Sequence, residues 1–167
     1  MTKLGTVANV IFGNAAALLG AVDSEADVGY IKDGVTITKN EEIYKLKAEG
    51  IPSPIKARRT NLEYTFAFTM IEPTLANIKN AWAVSEAISG TTLEVGALAE
   101  ASPASISLKV TGVEPGGSDA RTIQAKSCIS EGPGEVKFTD AEETAVPCVF
   151  TTLYNTTDLS LFTITDT

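Results

Sequence analysis

From Leu62 to Met70 the chain alternates strictly, with Leu62, Tyr64, Phe66, Phe68 and Met70 on one face and Glu63, Thr65, Ala67 and Thr69 on the other. A period of two puts successive side chains on opposite faces of a pleated strand, so this is the firmest predicted strand. Shorter β-favouring runs precede it at Thr6–Phe12, Val28–Ile31, Val35–Thr38 and Ile43–Leu46. Lys32-Asp33-Gly34 reads as a tight hairpin turn among them. At Glu72-Pro73 the period changes. Proline ends a strand and suits a first helical turn, so a helix is expected over about residues 73–88, with Leu75, Ile78 and Trp82 as its buried stripe, Trp82 as a core anchor and Gly90 as its stop. Beyond it, Thr91–Val95, Ser105–Thr111, Arg121–Ile129, Glu135–Phe138, Cys148–Tyr154 and Leu159–Thr165 read as strands. Turns at Glu114-Pro115-Gly116-Gly117 and Gly132-Pro133-Gly134 divide them.

Many short strands and one helix predict a mainly β fold: a β-sandwich or partly open barrel with one flanking α-helix and a long projecting loop at about residues 45–60. At 167 residues and 17.5 kDa the chain is expected to form one domain over 1–167 with an ordinary core. The edges of such a sheet must be blunted or used, and head-to-tail pairing of edges around a rotation axis builds a ring.

Charge sharpens this picture. The chain carries a net −8, yet Lys45, Lys47, Lys56, Arg58 and Arg59 stand against Glu49 alone, so Lys45–Arg59 is +4 and the rest sums to −12. A basic projection on an acidic body can pair with another copy of the same surface. The projection contains no aromatic residue to stack bases, so a nucleic-acid groove is not expected there.

Candidate chemistry is sparse. There is no histidine, which removes the commonest metal ligand and the usual general base near neutral pH, and no carboxylate pair stands in a recognisable frame. No catalytic residue, metal site or cofactor is expected. Cys128 and Cys148 read as free, buried thiols. Val7–Val22 is apolar but broken by Gly13-Asn14, so it predicts a strand, a turn and a small-residue segment packed inside, not a cleaved signal or a membrane span. Asp23, Glu25 and Asp27 begin like a calcium loop, but Gly29 and Gly34 fall where that loop needs other residues, so a solvated acidic loop is expected. Gly112–Ser118 has phosphate-loop glycines without the lysine and reads as a turn, and Asn155-Thr156-Thr157 is a sequon of no consequence without secretion.

The succession Asp27-Val28-Gly29, Lys32-Asp33-Gly34-Val35-Thr36-Ile37, Gly50-Ile51-Pro52, Arg58-Arg59, the strand Glu63–Met70 and Glu72-Pro73-Thr74-Leu75-Ala76-Asn77-Ile78 resembles the tail tube proteins (major tail proteins) of long-tailed bacteriophages. The resemblance covers about the first half of the chain. It implies a β-sandwich virion subunit that closes into hexameric rings stacked as a hollow tail tube, through which viral DNA passes without specific binding. It also implies tape measure, tail terminator and tail tip proteins as partners, with assembly in the host cytoplasm. By position, Lys45, Lys47, Ile51, Pro52, Pro54, Ile55, Lys56, Arg58 and Arg59 would form the inter-ring loop.

Residues Glu131–Thr167 hold seven acids against Lys137 and are a candidate partner for that loop. Glu63, Thr65 and Thr69 are expected to face the lumen or a subunit seam, because an acidic bore repels phosphates that a basic one would hold. The alternatives are a capsid decoration or head-tail connector protein, or a ligand-binding β-sandwich with Trp82 and Tyr44 as its platform.

Overall fold

The alternating run Leu62–Met70 is the inner half of one long strand, and the protein is built around it. The computed structural model describes residues 16–84, 87–96, 103–113, 120–136 and 144–166. Its elements are β1 Ala16–Ala21, β2 Ser24–Asp27, β3 Ile31–Leu46, β4 Lys56–Met70, α1 Leu75–Ala81, β5 Ile106–Val113, β6 Ala120–Ser130, β7 Val146–Thr152 and β8 Thr163–Asp166. Every strand pair is antiparallel. The order is β2-β1-β5-β6-β7-β4-β3, with β8 branching from β6.

This order forces curvature. β2 and β3 are the two end strands, yet only Val28–Tyr30 separates them in the chain. Such a link reaches at most about 14 Å. Seven flat strands would hold their ends roughly 29 Å apart. The sheet therefore curls into a partly open barrel, and Val28–Tyr30 crosses its seam: Val28 N donates to Ala17 O (3.1 Å) and Ile71 N donates to Tyr30 O (3.1 Å). β6 helps the sheet turn, because its first half pairs with β8 through Arg121–Gln124 and its last residues pair with β7 through Cys128–Ser130.

One cluster fills the curl, joining Ala17 and Leu19 of β1, Leu108 and Val110 of β5, Phe66, Phe68 and Met70 of β4, and Phe150 of β7. Phe68 and Phe150 stack at 5.7 Å, and Phe162 meets Phe66 edge-on at 5.9 Å. Ala17 and Leu19 are the packed small-residue segment expected near Gly13-Asn14, whereas that turn and the expected strand Thr6–Phe12 lie outside the described residues. Both cysteines are free and buried.

Several expectations need correction. Asp33 (φ 62°) and Gly34 (φ 74°) do adopt the left-handed backbone a tight turn needs. However, β4 pairs on both sides of them, so they make a bulge inside β3 and not a hairpin. The helix is shorter than 73–88: Thr74 Oγ1 caps it by accepting from Asn77 N (3.2 Å), and it ends at Ala81, after which Ala83 turns to φ 53°. Its buried residues are Asn77 and Ala81, while Leu75 and Trp82 are 37% and 40% exposed, so Trp82 is no core anchor. The close approach of the helix to the seam selects a small residue and a hydrogen-bonding one over bulk. Thr91–Val95 contains only the isolated bridge Ser89–Thr92, and Leu159–Phe162 precedes β8 as a turn. Glu135 and Val136 are irregular, and the rest of that expected strand and the Glu114–Gly117 turn lie outside the described residues.

Candidate assembly surface

β4 pairs with β7 only over Thr65–Met70. Toward its start it keeps β3 alone, and the two strands leave the body as a ribbon whose last pair is Leu46–Lys56. The projecting loop expected at 45–60 is therefore a turn over residues 47–55 carried on paired strand: Lys45, Lys56, Arg58 and Arg59 lie on the ribbon, and Lys47, Ile51, Pro52, Pro54 and Ile55 lie in the turn. Ile55 N donates to Leu46 O (2.9 Å) and closes that turn.

Opposed residues share a face, so the register sorts the ribbon. Ile37, Lys39 and Glu41 oppose Phe66, Tyr64 and Leu62 and continue the core-side face. One extra residue in β4, Thr60, bulges between Arg59 and Asn61 and donates its hydroxyl to Glu42 O (3.2 Å). That bulge brings Arg59 onto the core-side face, where Arg59 and Lys39 both ion-pair with Glu41. Their hydrogen bonds, Lys39 first, hold the Glu41 carboxyl below its ordinary range. Arg58 lies on the opposite face, across from Tyr44. Of the two expected arginines, Arg59 is thus engaged within its own arm.

The ribbon also exposes apolar side chains. Ile43, Tyr44, Leu46, Ile51 and Ile55 are between 42% and 60% exposed. A two-stranded ribbon is marginal alone in water, and a basic, apolar one is a surface awaiting contact.

Glu63, Thr65 and Thr69 are half-buried on the face turned away from the core, and Glu63 accepts from Asn40 Nδ2 (3.4 Å). Of the acids expected to meet the basic loop, three are already held within the chain. Glu131 accepts from Thr151 Oγ1 (2.7 Å), Asp158 pairs with Lys126 (3.1 Å), and Asp166 takes both nitrogens of an Arg121 fork at 2.7 and 2.8 Å. That fork holds the Asp166 carboxyl low. Glu135 is exposed. Asp140, Glu142 and Glu143 lie outside the described residues.

The calcium-like acids have structural partners. Asp23 turns the chain between β1 and β2 at φ 60°, and Asp27 Oδ1 accepts from Gly29 N (2.9 Å). Glu25 Oε1 accepts from Ser107 Oγ (2.5 Å) and Gln124 Nε2 (2.8 Å). Burial pushes the Glu25 carboxyl up, but the Ser107 and Gln124 hydrogen bonds outweigh it and leave it below the ordinary range. Among the described residues no group of three His, Cys, Asp or Glu is arranged to hold a metal, and no helix is long and apolar enough to cross a membrane. Trp82 lies at the end of α1 beside Gly134, whereas Tyr44 lies far out on the ribbon, so the two do not form one platform.

An apolar groove at the root of the ribbon was not anticipated. It has a volume of about 510 Å³ and is lined by Leu62, Tyr64, Tyr154, Leu159 and Phe162. Its wall Leu153–Phe162 lacks alternation and reads as strand ends, so no sequence signal marks it. Compared with known proteins, the chain matches no family model and no curated protein sequence.

Proposed function

We propose that the chain is a structural virion protein of the tail tube kind, whose subunits join border to border into hexameric rings and stack into a hollow conduit for viral DNA. The observation that carries this reading is the β3–β4 ribbon, a basic and apolar arm on an acidic body that leaves Ile43, Tyr44, Leu46, Ile51 and Ile55 exposed among the described residues. The sheet borders support it too, since β2 and β3 each pair on one side only among the described residues. The ring number, the DNA cargo and the tape measure, terminator and tip partners come from the resemblance. The half-buried face with Glu63, Thr65 and Thr69 is assigned to the bore or a seam. The reading gives no residue a catalytic role, and reproducible turnover of a simple ester, phosphate or glycoside would count against it.

Electron microscopy of purified protein tests the proposal. Tubes one ring wide support it, whereas single rings or trimers point to a connector or decoration protein. Arg58→Glu is the sharper probe of the arm, because Arg58 has no ion pair among the described salt bridges and lies off the Lys39–Glu41–Arg59 face. The variant is expected to fold normally and to assemble poorly at physiological salt. Normal tubes from it would remove the arm's charge from the stacking contact.

A further inference from the structure

The groove at the root of the ribbon contains an unusual residue. Leu159 is 71% exposed and has φ 53°, a left-handed backbone that a bulky side chain adopts at a cost. A tight turn holds it there: Thr157 N and Asp158 N both donate to Asn155 Oδ1 (2.8 and 3.2 Å), and Asn155 N donates to Ser160 O (3.1 Å). The turn thus accepts backbone strain in order to present an apolar side chain to water, beside Tyr154, itself 57% exposed. Strain maintained around an open apolar groove marks a contact surface.

The chain's own fingertip cannot fill this groove. Leu62 lies at the root and Lys56 begins the tip, and at about 3.3 Å per residue they are roughly 20 Å apart along β4. The tip is nevertheless complementary in kind. Ile51 and Ile55 are each 49% exposed. The tip segment Lys45–Arg59 carries +4 and the rest of the chain sums to −12. Asp158 and Asp166 beside the groove pair with Lys126 and Arg121 of their own chain, so the charge complementarity is that of tip against body and not of these two carboxylates.

Resting on the stacked-tube reading, we infer that this groove receives the fingertip of a second copy, with Ile51 and Ile55 of one subunit against Leu62, Leu159 and Phe162 of the next and Lys56 and Arg58 over its acidic surface. Tip and groove are different surfaces at opposite ends of one arm, so the contact is head-to-tail and repeats from copy to copy. Leu159 is a docking residue and not a folding one.

Two experiments test this on the full chain. Leu159→Gly removes the side chain and relieves the strained φ. The monomer's thermal midpoint is expected to stay the same or rise, while the concentration needed for assembly rises about thirtyfold, the effect of losing one interface anchor. In the second, Ile51→Cys and Leu159→Cys are combined and treated with a short bismaleimide. The native thiols will not compete, because both are buried in the folded chain. A covalent ladder extending beyond dimers, absent from either single variant, is expected. Tubes that form without a ladder would overturn the docking site and leave the proposed function standing. Linkage within one chain, or a ladder that stops at dimers, would also overturn head-to-tail docking. Protein that stays monomeric at high concentration would remove both readings, and unchanged assembly of Leu159→Gly would remove the role of Leu159.

Discussion

Asn77 is 5% exposed, and its side-chain amide nitrogen donates to two backbone oxygens, Val28 O and Glu72 O, both at 2.8 Å. The seam is therefore closed by a side chain as well as by main-chain bonds. Asn77→Ala would leave both oxygens without that donor, and an expected loss of about 2 kcal/mol, read by urea denaturation, follows. Gly29 is equally constrained: at φ 83° a Cβ would lie 2.4 Å from the Glu72 carboxylate, which also accepts from Tyr30 N (3.3 Å). The thiols give a pH prediction. Burial pushes Cys128 and Cys148 up from 9.0 to about 12. Between those values the unfolded chain gives up protons that the folded chain keeps, so this contribution to stability is complete below pH 9 and declines as pH rises toward 12. Urea midpoints across that range should fall for the wild type and fall less for Cys128→Ala, and a thiol reagent near neutral pH should label neither cysteine until the protein unfolds.

The ribbon is the element on which assembly is expected to depend, and it is also the least supported. Past Thr65 it has no third strand among the described residues, so its amides should exchange with solvent faster than those of β5–β7 in the monomer and become protected in tubes. Acid should act on it through Glu41. Because Lys39 and Arg59 depress that carboxyl, their contribution is present above the ordinary carboxylate range and lost as pH falls through the lowered value. Protection of the ribbon amides, taken relative to their intrinsic exchange at each pH, is expected to fall on acidification before that of the body. The same geometry separates the two arginines: Arg59→Glu would place like charges together on Glu41's face and disturb the arm itself, whereas Arg58→Glu alters only what the arm meets. Period-two alternation made the inner half of β4 legible. The outer half was not, because an exposed ribbon mixes charged and apolar residues on both faces and its Pro/Gly turn hides the pairing beneath it.

At the scale of the molecule, stability and assembly should separate. Phe150 is fully buried and stacks on Phe68 in the middle of the curl. Phe150→Ala is expected to cost about 3–5 kcal/mol, a large part of the stability of an ordinary domain, so a chemical denaturation curve should shift steeply and assembly should fail with folding. Arm and groove variants should leave that curve in place. The amino-acid sequence by itself determined the β class, the inward set Phe66, Phe68 and Met70, the turn chemistry at Asp33-Gly34, the buried thiols and the segregation of +4 onto one segment, since each follows from local pattern or composition. Only the tertiary structure decided that Asp33-Gly34 is a bulge, that α1 buries Asn77 and Ala81 and leaves Trp82 exposed, and that Leu159 and Phe162 meet Leu62 at the root of the arm. Those outcomes depend on which strand lies opposite each residue, and long-range pairing in a curled sheet is set by packing across the seam, not by any window of neighbours along the chain.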